Sequence, residues 1–423
     1  MKQFKFEFTE NDLTGNAGII HFGRFLKKLN VKKILEAKIS IDRASNADYQ
    51  VADVVMILLL GVFAGVKHIS HLAILRTDNV LRKLFKWSKF PADCTIGRIF
   101  KLFTPKTCNA LSEVEDTIRR KVWGKKWFGR VTLEFDSSVK TVYGNQEGAN
   151  VGYNPKRKGQ KSYHPIFCFI AETRECLHNW FRDGSAYSAN GIVDFAKETL
   201  ARLPKRVWKI FVRADSAFFN GKFLDYLEEN QCLYLIKVKL KNLNQILETQ
   251  TWKKVRNQEN IESCEFEYQC SDWKKVRRFL GIRQKIINKE GKIEYRHFCY
   301  VSNDNLTPWK AHKKYGKRAA SENWIEWCKG QMASGSILTN NFWANSAIFQ
   351  TCILSYNLFV WMMYLVYGDK LRQEPNTIRF WLIHIPARLI KRGGQFTLKL
   401  SKNNFIRKRW QDIDHFIEQI SFV

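Results

Sequence analysis

Two apolar stretches near the middle of the chain each end in an aspartate. Residues 131–136 (VTLEFD) alternate strictly between apolar and polar positions, which predicts a half-buried strand ending at Asp136. Residues 209–215 (KIFVRAD) predict a buried strand ending at Asp215. Three further strands are predicted at 166–171, 176–182 and 232–238. Three strands in series and then a strand–helix–strand unit predict an α/β fold with a mixed sheet.

The chain on both sides of this block is predicted to be mainly helical. Residues 1 to about 125 have the pattern of a helical region, and residues 343–367 that of a long core helix. Aromatic and polar residues alternate again over 249–302, which predicts a small β-rich insertion. Shorter helices are predicted at 53–66, 67–78, 95–103, 220–230 and 376–390, and from about 312 onwards. Asp93 or Thr95 is expected to cap the helix at 95–103, and Ser188 is expected to cap a further helix that reaches about Leu203. A last strand is predicted at 395–400.

The charge of the chain indicates the class of its partner. Its 423 residues are 45 % hydrophobic, typical of a globular protein of two or three domains. Lys and Arg number 70 against 40 Asp and Glu, a net charge of +30. Such an excess predicts a polyanionic partner, with nucleic acid the first candidate and a membrane surface the second. A basic protein without such a partner is the third.

Cysteine spacing and the apolar runs bear on metal binding, on the compartment of the protein and on membrane association. The ten cysteines include no CxxC pair, so a zinc site is disfavoured, and we expect reduced thiols in a cytoplasmic protein without a signal peptide. The apolar runs at 54–66 and 358–367 are too short to span a bilayer, which predicts core helices and no membrane association.

Three acids form the candidate catalytic set. Asp136 and Asp215 end predicted strands, and ligand sites of open α/β sheets assemble at the carboxyl ends of strands. Glu322 lies on a predicted helix over 315–330, where about 100° of rotation per residue puts it on one stripe with Tyr315, Arg318 and Lys329. Clustered carboxylates repel one another unless they are protonated or bind a cation, and Mg²⁺ or Mn²⁺ is the cation that suits oxygen ligands. Two such ions about 4 Å apart support phosphodiester chemistry.

The same residues carry a resemblance to a known family. The spacing Tyr315-x2-Arg318-x3-Glu322-x6-Lys329 is similar to the Tyr-Arg-Glu-Lys signature of DDE-type transposases of bacterial insertion sequences. FDSSVKTVYGNQEGANVGYNP with SYHP resembles the first catalytic strand and loop of one branch of that family, and RADSAFF resembles the second catalytic strand. The resemblance covers about 130–367.

The resemblance implies a fold, a metal site and an activity. It implies an RNase H-like mixed-sheet catalytic core with a β-rich insertion, and Asp136, Asp215 and Glu322 as catalytic residues that hold two Mg²⁺ ions, which Mn²⁺ can replace. It further implies that Tyr315, Arg318 and Lys329 contact a DNA end. The implied activity is cleavage at the terminal inverted repeats of the element and joining of the 3′ ends to target DNA, in a DNA-bound homodimer without a small-molecule cofactor.

Pattern and resemblance together predict a domain organisation. An N-terminal helical domain, a DNA-binding candidate, is expected at 1–125, and the catalytic core at 126–248 and 303–370. The β-rich insertion is expected at 249–302 and a basic C-terminal region at 371–423.

Other residues compete for these roles or add to them. Other acids near the candidate set are Glu134, Glu147, Glu172, Asp183 and Glu326, which lies one helical turn after Glu322. The loop 154–161 carries four cations that we expect to bind phosphate near Asp136, namely Lys156, Arg157, Lys158 and Lys161. Three tryptophans are candidates for stacking on an unpaired base, although ordinary packing is the simpler reading: Trp252, Trp273 and Trp309. Two functional alternatives stay open, a DNA-binding relative that no longer cuts and a metal-dependent nuclease of the same fold.

Overall fold

The chain divides into two compact units. The structure, a computed structural model, describes residues 5, 7, 11–44, 46–126, 128–288, 290–368 and 373–422. The first unit comprises Met1–Lys126 with Glu326–Val423, and the second comprises Trp127–Ile325. This division differs from the predicted domains, because the segment after Glu326 belongs with the N-terminal helices rather than with the core. The predicted boundary at 370/371 lies outside the described residues.

The N-terminal part of the first unit is helical, as its pattern predicts. Its elements are the short strand β1 (Leu13–Thr14) and the helices α1 (Ile19–Lys28), α2 (Val31–Lys38), α3 (Val51–Ala64), α4 (Ala73–Arg76), α5 (Asn79–Leu84), α6 (Asp93–Phe100) and α7 (Pro105–Trp123). Helix α3 is apolar on all sides and buried along nearly its whole length, and Gly65 ends it in the left-handed region (φ +98°).

Two local predictions in this part are wrong. The single helix predicted over 67–78 is a 3₁₀ turn, Ile69–Leu72, followed by the four-residue helix α4. The N-cap of α6 is Ala92, so neither Asp93 nor Thr95 caps that helix through its side chain. Residue types that favour capping show only that a helix start is near, because the backbone decides which residue takes the cap position.

The second unit is built on one large sheet. Its strands are β2 (Arg130–Ser137), β3 (Lys140–Thr141), β4 (Asn150–Val151), β5 (Lys161–Tyr163), β6 (Ile166–Ile170), β7 (Cys176–Trp180), β8 (Lys209–Ala214), β9 (Leu233–Lys237), β10 (Lys253–Lys254), β11 (Ile261–Tyr268), β12 (Arg277–Ile287) and β13 (Ile293–Ser302). Its helices are α8 (Ile192–Ala201), α9 (Gly221–Glu229), α10 (Leu243–Glu248), α11 (Pro308–Gly316) and α12 (Ala319–Glu326), the last of which ends one residue beyond the unit.

The order of the strands is that of an RNase H-like core. The nine-stranded sheet runs β10-β11-β12-β13-β9-β8-β2-β6-β7. Strands β2, β6 and β7 form an antiparallel series, while β8 pairs parallel with both β2 and β9. Helix α8 leads from β7 to β8, and helix α9 connects the parallel strands β8 and β9. The predicted mixed-sheet core is therefore confirmed.

The β-rich segment predicted over 249–302 extends the core sheet. Strand β13 pairs antiparallel with β9, and β12, β11 and β10 follow outwards. The long hairpin β12–β13 keeps one register over nine residue pairs, from Phe279↔Val301 to Ile287↔Ile293. The segment is an insertion in sequence, but its strands share backbone hydrogen bonds with the core sheet.

Strand β2 is more buried than its alternation predicts. Apolar Val131, Leu133 and Phe135 are buried on one face, but Glu134 and Asp136 on the other face are buried as well. A central strand is covered on both faces, and the polar face is tolerated here because a cation lies against each of the two acids.

The predicted continuous helix over 315–330 is interrupted. Helix α11 ends at Gly316, Lys317 and Arg318 form a turn, and α12 is followed by a π-helical turn at Trp327–Gln331. The single stripe expected on one continuous α-helix from Tyr315 to Lys329 is therefore wrong over its full length, since a π turn adds a residue to the turn.

The C-terminal part of the first unit combines helices and a hairpin. Its elements are α13 (Phe342–Tyr367), α14 (Pro375–Ile378), β14 (Ala387–Arg392), β15 (Gln395–Leu400) and α15 (Asn404–Gln419). Helix α13 is long and apolar enough to cross a membrane, but 78 % of its apolar window is buried, and it packs against α3 and α7 as a core helix. The helix predicted over 376–390 is replaced by α14, a π-helical turn at Arg379–Ile383 and β14, whereas the strand predicted at 395–400 is present.

All ten cysteines are thiols. Cys94 is exposed on α6 and the other nine are buried. Burial raises the pKa of several of these thiols, including Cys108 and Cys232, to about 11. Such thiols stay protonated near neutral pH and pack as small apolar side chains.

Candidate active site

Two adjacent parallel strands bring Asp136 and Asp215 to the same edge of the sheet. The last residue pair between β2 and β8 is Phe135↔Ala214, and each aspartate follows directly. The backbone N–H of Ser137 donates to Asp136 Oδ1 (2.8 Å). The N–H of Ala217 donates to Asp215 Oδ1 (2.9 Å) and so begins the 3₁₀ turn after β8. Both carboxylates are thereby held by their own local backbone.

Arg318 connects Asp136 with Glu322. Its Nη2 atom lies 2.8 Å from Asp136 Oδ2, and its Nη1 atom lies 3.8 Å from Glu322 Oε1. Arg318 is buried in the turn before α12, whereas the side chain of Glu322, in the first turn of that helix, is 69 % exposed. The predicted stripe therefore survives between these two residues because both lie at the same helix start.

The electrostatics of Asp136 reflect this crowding. Burial raises the pKa of Asp136 to about 6. Arg318 and the Ser137 N–H oppose that increase, while the charges of Asp215 and Glu322 add to it. The three candidate acids thus act on one another electrostatically. A carboxyl group in this environment gains from a nearby cation more than a solvated one does.

Arg318 keeps donors for a further ligand. Burial lowers the pKa of Arg318, but Asp136, Tyr315 and Asp215 raise it, and the net pKa lies above the ordinary value. The guanidinium therefore stays charged. Within the described ranges, no acceptor receives a hydrogen bond from its buried Nε–H. A buried donor without a partner is costly, and an acceptor from outside the chain, such as a phosphate oxygen, would satisfy this one.

Tyr315 and Lys329 lie in different units. Tyr315 packs on the cluster of Phe211, Leu235 and Tyr300, with its ring centroid 4.7 Å from that of Tyr300. Burial raises the pKa of Tyr315 to about 12, and Arg318 opposes this increase. Its phenol is therefore neutral and able to donate. Lys329 belongs to the first unit and is half-buried in the π-helical turn Trp327–Gln331.

The competing acid on β2 has a partner of its own. Glu134 is fully buried, and Arg213 from β8 donates to its Oε1 through Nε (2.7 Å) and also through Nη2. Burial raises the pKa of Glu134, and Arg213 opposes the shift. This geometry describes a structural ion pair that joins the two strands carrying the candidate aspartates.

The other acids near the set are used in the fold or stand apart from it. Glu172 accepts from the Thr132 N–H (2.8 Å), and Asp183 accepts from the Ser185 N–H (2.6 Å). Glu147 is exposed, and its backbone carbonyl accepts from Tyr163 Oη. Glu326 is exposed at the end of α12.

A chain of hydrogen bonds that was not predicted from the sequence includes Ser137, whose N–H donates to Asp136. His164 Nδ1 lies 2.5 Å from the carbonyl oxygen of Ala186, which can only accept, so Nδ1 carries the proton. His164 Nε2, 3.2 Å from Ser137 Oγ, then accepts from that hydroxyl. Ser137 Oγ also lies 2.7 Å from Ser188 Oγ, which therefore donates to it.

This chain corrects the prediction for Ser188. The serine was expected to cap the following helix, but α8 begins after Gly191 in the left-handed region (φ +69°). The SYHP motif contains the histidine of this contact, His164. The motif alone does not predict the contact, because the contact depends on how the folded loop brings His164 to Ser137.

The basic loop between β4 and β5 is fixed at its base beside the first aspartate. The N–H of Ser138 donates to the Pro165 carbonyl (3.0 Å), and β3, β5 and β4 form a small antiparallel sheet. The turn above it is ordered by Asn154, whose Oδ1 accepts from the Arg157 N–H (3.0 Å). Arg157 also lies over the exposed ring of Tyr143 at 5.2 Å. All four predicted loop cations are exposed: Lys156, Arg157, Lys158 and Lys161.

The three candidate tryptophans are engaged within the second unit. Trp273 is buried beneath Arg277 at 4.7 Å. The indole N–H of Trp252 donates to the Leu247 carbonyl (3.1 Å), and the ring of Trp309 stacks on His312 at 5.5 Å. The structure thus favours packing for each of them.

The carboxylates are suitable metal ligands, although their side chains do not converge. Among the described residues, no three His, Cys, Asp or Glu side chains lie close enough together to hold a metal ion. The donor set of Asp136, Asp215 and Glu322 is nevertheless all oxygen, which is what Mg²⁺ requires. Asp136 is buried away from water, and the exposed side chain of Glu322 is able to change rotamer. These residues therefore fit a hard divalent cation.

Fold and site together define a class of protein: an RNase H-like domain with acidic residues at the ends of its two central parallel strands. The chain belongs to the family "Transposase DDE domain group 1", whose model matches residues 1–421. Members of this class are transposases, enzymes that act on DNA and generally use divalent metal ions. No curated protein sequence matches the chain.

Two solved structures show a distant likeness. One is described as a piggyBac transposase synaptic complex with hairpin DNA, with 11 % identity, a TM-score of 0.44, and coverage of 96 % of this chain and 85 % of that chain. The other is described as a Mos1 transposase paired-end complex with the left transposon end, with 11 % identity, a TM-score of 0.20, and coverage of 46 % and 61 %. The family assignment rests on the sequence match.

Proposed function

We propose that this transposase binds the terminal inverted repeats of an insertion sequence, cleaves the element's ends and joins the freed 3′ ends to target DNA. The observation that carries the proposal is the arrangement around Arg318. Asp136 and Asp215 end adjacent parallel strands, and Arg318 joins Asp136 to Glu322 in a chain of the DDE family. Clustered acids beside a buried arginine suit a site for metal ions and phosphate.

The three acids would hold two Mg²⁺ ions, which Mn²⁺ can replace. Bound there, such ions activate the attacking oxygen and stabilise the leaving oxygen of a phosphodiester. Backbone N–H groups fix Asp136 and Asp215, and the exposed Glu322 would turn toward them to complete the set. Arg318 would then direct its remaining N–H groups to the scissile phosphate.

Two displacements at this site account for cutting and joining. In the first, a water oxygen attacks phosphorus and the bond to O3′ breaks, which leaves a 3′-hydroxyl on the element. In the second, that hydroxyl oxygen attacks a target phosphodiester and displaces another 3′ oxygen. Tyr315, Lys329 and the cations of the loop between β4 and β5 would hold the DNA end.

The remaining regions would serve the same reaction. Residues 1–125 would form the DNA-binding domain that recognises the repeats, and two chains would pair on two element ends as a homodimer. The enzyme would work in the cytoplasm at the bacterial nucleoid. The strong positive charge of the chain supports the DNA partner.

Nicking of a duplex that carries the element's end tests the proposal. We expect Asp136→Asn, Asp215→Asn and Glu322→Gln to abolish Mg²⁺-dependent nicking while binding to the duplex is largely retained. The matched control is Glu326→Gln, an equal change of charge one turn further along α12, which should keep most of the activity. An inactive Glu326 variant beside an active Glu322 variant would refute the assigned register and the role given to Arg318.

The same assay separates the alternatives. A DNA-binding relative without activity would bind the end but not nick it, even as the unchanged protein. A nuclease of the same fold would nick but would not join a pre-cut 3′ end to a plasmid.

A further inference from the structure

The C-terminal part of the first unit carries a concentrated positive charge that none of the roles above uses. Residues 387–410 contain eight Lys and Arg and no Asp or Glu, although the whole chain has 40 acids beside its 70 Lys and Arg. We call the exposed members of this segment the C-terminal cationic surface: Arg388, Lys391, Arg392, Lys399, Lys402, Arg407 and Lys408.

The hairpin β14–β15 separates its apolar and cationic residues. Ala387, Leu389, Leu398 and Leu400 are buried or partly buried, and Ala387, Leu398 and Leu400 pack in a cluster with Ile385 and Trp410. Successive strand residues point to opposite faces, so the residues between them form the outer face. Three cations lie on that face: Arg388, Arg392 and Lys399. Arg388 is directly opposite Lys399 in the register.

The turn of the hairpin keeps its tip narrow. Arg392↔Gln395 is the last pair of the register, so Gly393 and Gly394 form a two-residue loop. Their φ values of +53° and +77° match a turn with two left-handed positions, which glycine adopts without strain. Neither residue of this loop carries a side chain.

Helix α15 adds cations where helix stability does not favour them. Arg407 and Lys408 lie near its N-terminal end, whereas the acids Asp412, Asp414 and Glu418 lie in its C-terminal half. The macrodipole favours acids toward the N-terminal end and bases toward the C-terminal end, so it does not account for this distribution.

Six of the seven cations of this surface are not neutralised by acidic side chains of the described residues. Six of its cations have no Asp or Glu within salt-bridge distance among the parts of the chain that the structure describes: Lys391, Arg392, Lys399, Lys402, Arg407 and Lys408. Two exposed rings lie among them, Phe396 and Phe405. Arg409 stacks on Phe405 at 3.7 Å.

We infer that the C-terminal cationic surface binds the phosphate backbone of duplex DNA without reading its sequence. The unneutralised cations of this surface suit a duplex, which carries one negative charge per about 1.7 Å of its axis. Contacts from their long side chains to phosphate oxygens carry no sequence information. The inference relies on DNA as the partner in the proposed function, but it does not depend on the catalytic residues.

The test measures DNA binding in EDTA, where no cleavage occurs. Three cations of the surface are neutralised together in R392Q/K399Q/K408Q. The matched control K197Q/K275Q/K292Q removes three exposed cations of the second unit, each of which lies beside its own acid. The probe is a fluorescent 30-base-pair duplex of arbitrary sequence, titrated at salt concentrations from 50 to 200 mM.

We expect the surface variant to bind at least tenfold more weakly at 100 mM salt, and equally so on two unrelated sequences. Its slope of log affinity against log salt should fall by about 2 to 3, since each lost phosphate contact removes about 0.9. The control should stay within twofold of the unchanged protein. The charge-retaining variant R392K/K399R/K408R should bind normally, which separates charge from folding.

Three outcomes would overturn the inference. The first is an affinity and salt slope of the surface variant equal to those of the control. The second is a loss confined to one sequence, which would indicate base reading. The third is unchanged DNA binding with a loss of binding to vesicles of anionic phospholipid, which would identify a membrane surface as the partner. Failure of the proposed function would appear separately, as absent nicking with DNA binding intact.

Discussion

Replacing Glu134 with Gln distinguishes a structural acid from the candidate catalytic acid two residues away, Asp136. Glu134 is fully buried and Arg213 is 4 % exposed, and two N–H groups of Arg213 donate to one oxygen of Glu134. Gln still offers that acceptor, but the buried guanidinium loses its neutralising charge. Removing one partner of a buried ion pair costs about 3 to 5 kcal/mol. We expect the unfolding free energy, measured by urea titration with circular dichroism, to fall by that amount.

A double variant checks the origin of this cost. Glu134→Leu with Arg213→Met removes both charges at similar volume, so the loss should shrink to about 1 to 2 kcal/mol, the price of the unpaired Lys314 carbonyl that Arg213 also serves. A loss below about 1 kcal/mol for Glu134→Gln would refute a buried, charged pair. Normal stability combined with abolished nicking would instead place Glu134 in the catalytic set.

Two further predictions concern buried histidines. Burial lowers the pKa of His21 to about 4, whereas His21 in the unfolded chain takes up its proton near pH 6.5. Folding stability is therefore lost as the pH falls from 6.5 toward 4. Between pH 7 and pH 4.5, the unfolding free energy from urea titration should fall by about 2 to 3 kcal/mol more than in His21→Phe. His164→Ala should raise the Mg²⁺ concentration for half-maximal nicking about tenfold without changing DNA affinity in EDTA. The reason is that Ser137, whose N–H donates to Asp136, loses its hydrogen bond to His164. An unchanged Mg²⁺ requirement would contradict this prediction.

The central fold could be predicted because its signals are local. Alternation and apolar runs located β2, β6, β7, β8 and β9, and the order of elements along the chain was enough for a mixed sheet. Burial of the polar face of β2 could not be predicted. It depends on Arg213 from a strand more than seventy residues away.

Sequence spacing gave the members of the candidate site but not their geometry. The signature places Arg318 beside Glu322 correctly, since the two residues are four positions apart. It does not reveal the turn before α12 or the π-helical turn after it, because both depend on tertiary packing. The role of Ser188 was missed for a similar reason. A serine before a helical pattern predicts a cap, and only the folded loop brings it to Ser137.

Arg318 supplies a positive charge to the most buried acid of the candidate site. A desolvated Asp136 beside two other carboxylates needs a positive charge, and the structure supplies it from a buried guanidinium at 2.8 Å. Under the proposed function, metal ions take over that neutralisation, and the guanidinium becomes available for the scissile phosphate. Metal ions and DNA would then each favour the binding of the other, because each ligand removes a competitor for the other's contacts, and such coupling is reciprocal. A lysine at position 318 would be a poor substitute in this exchange between metal ions and phosphate, because it offers only one charged point. The arginine fork contacts Asp136 with one nitrogen and approaches Glu322 with another.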